Sequence, residues 1–143
     1  MPRSRLTPIA IGVALALNLG ATPPLRAQDV DRGAQLFSDC AACHRVVAPD
    51  GTILRGGGRA GPNLYGVAGG RAASDSRFDY SQWLRALGAR DVTWTQGALA
   101  EYLRNPTIFT KQVLDDPEAR SRMAYRMETG AADIWAYLES LER

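Results

Sequence analysis

A chain of 143 residues has room for one ordinary domain and little else. With 17 basic against 15 acidic residues its formal charge is only +2, far from the strongly basic surface that a phosphate backbone demands, so nucleic-acid binding is excluded as a function class. Two cysteines and one histidine fall short of the four ligands of a structural zinc module unless a carboxylate is recruited.

The first segment does not read as part of a domain. Arg3 and Arg5 precede an apolar run from Ile9 to Leu17, followed by small residues and Pro23-Pro24. This is the layout of a secretory signal peptide rather than of a spanning helix, which wants about 20 apolar residues. A signal peptide over 1–27 is expected, with a cut after Ala21 as the alternative, and a mature domain over 28–143. Loss of Arg3, Arg5 and Arg26 leaves 14 basic against 15 acidic residues, a net charge of −1. The cations of the mature chain are thirteen arginines and a single lysine, Lys111.

Asp29 is a natural N-cap, and Val30, Gly33, Ala34 and Phe37 fall at helical spacing after it. Ser81 to Leu87 predicts a second helix closed by Gly88, and Thr95 caps a third that carries Leu99, Tyr102 and Leu103 and stops at Asn105-Pro106. Asp116-Pro117 reads as a further helix start. Ile134, Tyr137, Leu138 and Leu141 make a C-terminal amphipathic helix. Gly33 is expected to let the first and last helices cross closely, with Phe37 against Ile134 and Tyr137. No strands are predicted, and the fold class is all-α.

The chemistry sits at Cys40-Ala41-Ala42-Cys43-His44, the C-x-x-C-H pattern of covalent haem attachment. Two thiols add across the two vinyl groups on one edge of a porphyrin, so they must stand a fixed span apart on one turn of chain. The following imidazole then reaches the iron from beneath. A thioredoxin-like pair would want a strand before the motif, and none is predicted. A disulfide closing so small a loop would stabilise little and leave His44 without a role. With His44 the only histidine, a second histidine ligand within the chain is excluded. A thioether remains the best sixth ligand, and by residue type alone Met123 and Met127 both qualify. Short helices and modest aliphatic content predict a largely unfolded apoprotein, with a buried haem supplying the missing apolar surface.

Gly33-Ala34-Gln35-Leu36-Phe37, the haem motif, Gly61-Pro62-Asn63-Leu64-Tyr65-Gly66, Phe78-Asp79-Tyr80-Ser81, Trp94, Tyr102-Leu103-Arg104-Asn105-Pro106, Met123-Ala124-Tyr125 and Asp133-Ile134-Trp135-Ala136-Tyr137-Leu138 occur in one order along nearly the whole mature chain. In this the sequence resembles the class I c-type cytochromes. Ala48-Pro49-Asp50-Gly51 and the stretch from Leu114 to Met123 look like the insertions of the larger bacterial cytochrome c2 carriers. The resemblance implies one covalent haem c, with His44 and Met123 as axial ligands and Met127 as filler. It implies that Tyr102 donates to the methionine sulfur and that the Pro62 carbonyl accepts the second ring N–H of His44. Tyr80, Ser81 and Trp94 would bond the haem propionates. At Gly69-Gly70-Arg71 the chain departs from the pattern, because the arginine that approaches a propionate in many relatives is displaced by one position.

In function, the resemblance implies a monomeric periplasmic electron shuttle and not an enzyme. Its partners would be membrane redox complexes: the cytochrome bc complex as donor, and a terminal oxidase or photosynthetic reaction centre as acceptor. There would be no stable membrane insertion. The alternative is a dedicated cytochrome partner of a periplasmic dehydrogenase. Arg45, Arg59, Arg120, Arg122 and Arg126 flank the motif and the methionine segment and are expected to form a cationic docking ring.

Overall fold

A computed structural model describes residues 28–142; the expected signal peptide lies outside them. The architecture is five short helices and one small hairpin. In chain order these are α1 (Val30–Cys40), β1 (Val46–Val47), β2 (Ile53–Arg55), α2 (Gln82–Ala89), α3 (Gln96–Arg104), α4 (Pro106–Leu114) and α5 (Ala131–Ser140).

The crossing of α1 and α5 frames the molecule. Asp29 caps α1 by accepting from the Arg32 amide at 2.9 Å. A β-carbon on Gly33 would stand 2.1 Å from the Asp133 carbonyl oxygen and 2.7 Å from the Tyr137 β-carbon, so only glycine allows this approach. Phe37, fully buried, packs on Tyr137 with ring centroids 5.4 Å apart. Asp133, buried on α5, accepts from the Asp29 amide at 3.0 Å and pairs with Arg32 at 3.4 Å, which ties the start of one helix to the start of the other. Gly33→Ala is expected to destabilise the haem-loaded protein by about 3 kcal/mol, the upper end of the usual cost of overpacking. The gain in helix propensity of about 1 kcal/mol cannot offset that. Denaturant unfolding checks it, and a midpoint equal to wild type would mean that the crossing is looser than described.

Two features depart from the sequence-based expectation. The first is the hairpin: β1 pairs antiparallel with β2, Val46 opposite Arg55 and Val47 opposite Ile53, with a bulge between. Its turn is local chemistry, since the Asp50 carboxylate accepts from the Thr52 amide at 2.9 Å and Gly51 follows with φ 90°. The strands are too short for period-two patterning to reveal them. The hairpin is pinned to the helix pair by Arg55, whose guanidinium lies 5.8 Å from the Phe37 centroid and 5.9 Å from that of Tyr137.

The second concerns the two Asx-Pro sequences. Asn105 does end α3, but its side chain also accepts from the Ile108 amide at 3.1 Å and starts α4, with Pro106 at the first helical position. Asp116-Pro117, by contrast, forms only a turn, with the Asp116 carboxylate accepting from the Glu118 amide at 2.8 Å. Thr95 caps α3 as expected; Ser81, read as the first residue of the second helix, is instead its cap, and α2 runs through Gly88 to Ala89. Trp94, Tyr102 and Phe109 form one aromatic cluster, with centroids 4.9 to 5.9 Å apart, that joins the loop before α3 to α3 and α4. No helix among the described residues is long and apolar enough to cross a membrane.

Candidate cofactor site

The C-x-x-C-H segment continues directly from the end of α1. The Cys40 carbonyl accepts from both the Cys43 amide at 3.1 Å and the His44 amide at 2.8 Å, coiling the five residues into one turn. A glycine-rich segment closes under that turn, with the Gly58 amide donating to the Ala41 carbonyl and the Gly61 amide to the Cys43 carbonyl, both at 2.9 Å. Gly61 lies so close to the histidine that a β-carbon there would fall 2.3 to 2.7 Å from three atoms of the imidazole. His44 Nδ1 is 2.9 Å from the Pro62 carbonyl oxygen. A carbonyl can only accept, so Nδ1 carries the proton and Nε2 keeps a lone pair. Burial pulls the His44 pKa below its ordinary value, with the Pro62 bond opposing it, which favours the neutral ring.

The two cysteines are not joined to each other. Cys40 is half-buried and Cys43 exposed. Burial, aided by the neighbouring Asp39 carboxylate, pushes the Cys40 thiol up to about 11. Among the described residues no cluster of three or more His, Cys, Asp or Glu side chains is arranged to hold a metal. The helix α1, and not the strand of a thioredoxin-like pair, precedes the motif.

Cys40, Cys43 and His44 stand in the wall of a cavity of about 810 Å³. Pro62, Tyr80, Ser81, Trp94, Tyr102 and Met123 line the same cavity, so every site residue expected from the sequence is brought to one place. Met127 is not in that wall; it is buried in the core at 7 % exposure, whereas Met123 is half-buried on the cavity side. Tyr102 departs from expectation. Its hydroxyl is 2.8 Å from the Ser121 hydroxyl oxygen, not on a methionine sulfur, and Ser121 in turn accepts from the Met123 amide at 3.0 Å. The tyrosine therefore reaches the backbone of the methionine segment through a serine that sequence reasoning passed over.

Sequence comparison decides the family. The chain is 38 % identical to cytochrome c2 of Rhodobacter capsulatus over 133 residues, covering 93 % of this chain and 97 % of that protein. It is 39 % identical to cytochrome c-551 of Roseobacter denitrificans over 131 residues, 92 % of this chain and 94 % of the relative. The chain belongs to the class I c-type cytochromes. No family model matches the sequence. The solved structure of Rhodobacter capsulatus cytochrome c2 superposes with a TM-score of 0.77 at 40 % identity, covering 80 % of this chain and 99 % of that one. As a cytochrome of this family the protein is an electron carrier and not an enzyme, and its cofactor is one covalently bound haem c with iron.

The residues present fit that group. Two unlinked thiols and an imidazole with a free Nε2 share one wall of a cavity large enough for a cofactor. The wall formed by Tyr80, Ser81 and Trp94 has hydrogen-bond donors to spare. The Tyr80 hydroxyl accepts from the Asp75 amide at 3.3 Å and the Ser81 hydroxyl from the Leu84 amide at 3.1 Å, which leaves both protons to donate. The Trp94 indole N–H meets no acceptor among the described residues. Arg71 also borders the cavity, but its guanidinium is paired with Asp91 at 3.1 Å.

Proposed function

We propose that this cytochrome is a soluble periplasmic shuttle whose haem iron is held by His44 and Met123, taking single electrons from the cytochrome bc complex to a terminal oxidase or photosynthetic reaction centre. The observation that carries the reading is that His44 and Met123 both line the cavity while Met127 lies in the core. When bound, the haem supplies one reversible electron through its iron.

The chain's part is to hold and to exclude. Cys40 and Cys43 fix the cofactor to the end of α1, so it cannot be lost outside the cell. The Pro62 carbonyl holds the Nδ1 proton of His44, which orients the ring and strengthens Nε2 as a donor. A thioether from Met123 would favour the reduced state and raise the potential. With His44 and Met123 both holding the iron, no site would be left open to oxygen or peroxide. Tyr80, Ser81 and Trp94 would offer their spare donors to the propionates. The N-terminal segment, read as a signal peptide, supports export, with the cut after Ala27 or, in the alternative, after Ala21.

Docking would use the cavity mouth. Arg120 and Arg122 line it, and Arg59 and Arg126 are exposed next to lining residues. Asp39 and Asp75 interrupt the cationic set. Local charge of this kind steers encounter even when net charge is near zero. Stopped-flow oxidation of the reduced cytochrome by membranes carrying an acidic acceptor is expected to slow several-fold between about 10 and about 200 mM salt, as the Debye length shortens. A rate indifferent to salt would remove the cationic docking surface, and a stable co-purifying dehydrogenase would favour a dedicated partner over a diffusing shuttle.

A further inference from the structure

The segment from Ser121 to Met127 crosses the cavity wall without regular secondary structure. Its ends are fixed from inside. The Ser121 amide donates to the Thr107 hydroxyl at 3.2 Å and the Ser121 hydroxyl meets Tyr102, while the Met127 amide donates to the Leu103 carbonyl at 2.8 Å. Between Met123 and Met127 the described residues make one hydrogen bond, from the Tyr125 hydroxyl to the Asp39 carboxylate at 3.1 Å. The partners are 86 positions apart in sequence, and both line the cavity. Asp39 is the residue before Cys40 in the last turn of α1, where no basic side chain is present. A carboxylate is unfavourable at the negative end of a helix, so local helix energetics do not account for it. A donor from across the cavity does.

We infer that Tyr125 and Asp39 form a latch between the methionine segment and the cysteine-bearing helix, and that its role is to keep Met123 on the iron. This rests on the reading of Met123 as axial ligand. Tyr125 and Asp39 are positioning residues and do not touch the iron. The bond is charge-assisted and lies at the mouth, where water competes with it, so its net worth is that of an ordinary hydrogen bond.

The test uses the oxidised haem-loaded protein and imidazole as an external ligand that enters only when the methionine segment opens. Tyr125→Phe and Asp39→Ala are each expected to tighten apparent imidazole binding about fivefold, the population shift that loss of one such bond produces. Both should retain the weak red-end absorption band of thioether ligation before imidazole is added. Asp39→Asn keeps an acceptor and should shift binding less. The double variant Tyr125→Phe, Asp39→Ala should match either single one, because one bond is lost in all three. Unchanged imidazole binding in both single variants, or effects that multiply in the double, would overturn the latch. Failure of the underlying ligand assignment is seen separately, as a red-end band that survives Met123→Ala.

Discussion

Replacing Cys40 and Cys43 together by alanine is expected to give a colourless chain that has lost most of its far-ultraviolet helix signal. The five helices contain 11, 8, 9, 9 and 10 residues, all below the roughly 12–15 at which an isolated helix becomes even marginal in water. They are held by packing, and much of what they would pack around is the cofactor, since the cavity takes up about 810 Å³. At about 24 cal/mol per Å³ of unfilled space, leaving even a third of it dry would cost about 6 kcal/mol. That is comparable with the whole stability of a small domain, about 5–15 kcal/mol. Free haem added to the double variant should restore part of the helix signal through His44 and Met123 without the thioether links, which separates the effect of the cofactor from that of the thiols. A colourless double variant with native circular dichroism would show that the protein scaffold stands without its haem.

How much of this could be read in advance depended on whether the signal was local. Asp29 and Thr95 were legible as caps because capping is decided within three residues, and each accepts the amide of the third residue on. The Gly33 crossing was legible because a glycine in the middle of an apolar helical stripe asks for a close neighbour, and the C-terminal stripe offered one. Asn105-Pro106 and Asp116-Pro117 carry the same local signature, yet one starts α4 and the other only a turn. What separates them lies further along the chain: buried Phe109, Thr110 and Leu114 reward a helix after Pro106, whereas after Pro117 only Ala119 is buried before Met127. The cavity shows the same division. The thiols, the histidine and the supporting residues were named from motifs, but Ser121 beneath Tyr102 and Asp39 opposite Tyr125 are tertiary partners 19 and 86 positions away. A serine two residues before Met123 and an acid next to Cys40 carried no signal until the fold brought them to the wall.

The two methionines should give opposite results when each is replaced by alanine. Met123→Ala is expected to abolish the red-end band of the oxidised protein and lower the midpoint potential by on the order of 0.2 V, a fraction of the roughly 0.8 V that axial ligand identity spans. It should also let the reduced protein bind carbon monoxide at neutral pH, because the sixth position is then open. Met127→Ala should leave band, potential and carbon monoxide behaviour as in wild type and instead reduce stability by about 2–5 kcal/mol, the usual cost of truncating a buried methionine. Met127 is 7 % exposed and absent from the cavity wall, so its deletion leaves a hole in the core and nothing missing at the iron. Met127→Leu, which conserves volume, should recover most of that loss. The pair separates ligation from packing because each variant is silent in the other's readout. If Met127→Ala loses the band and Met123→Ala keeps it, the ligand assignment is reversed, and the segment from Ser121 to Met127 must close over the haem in a different register.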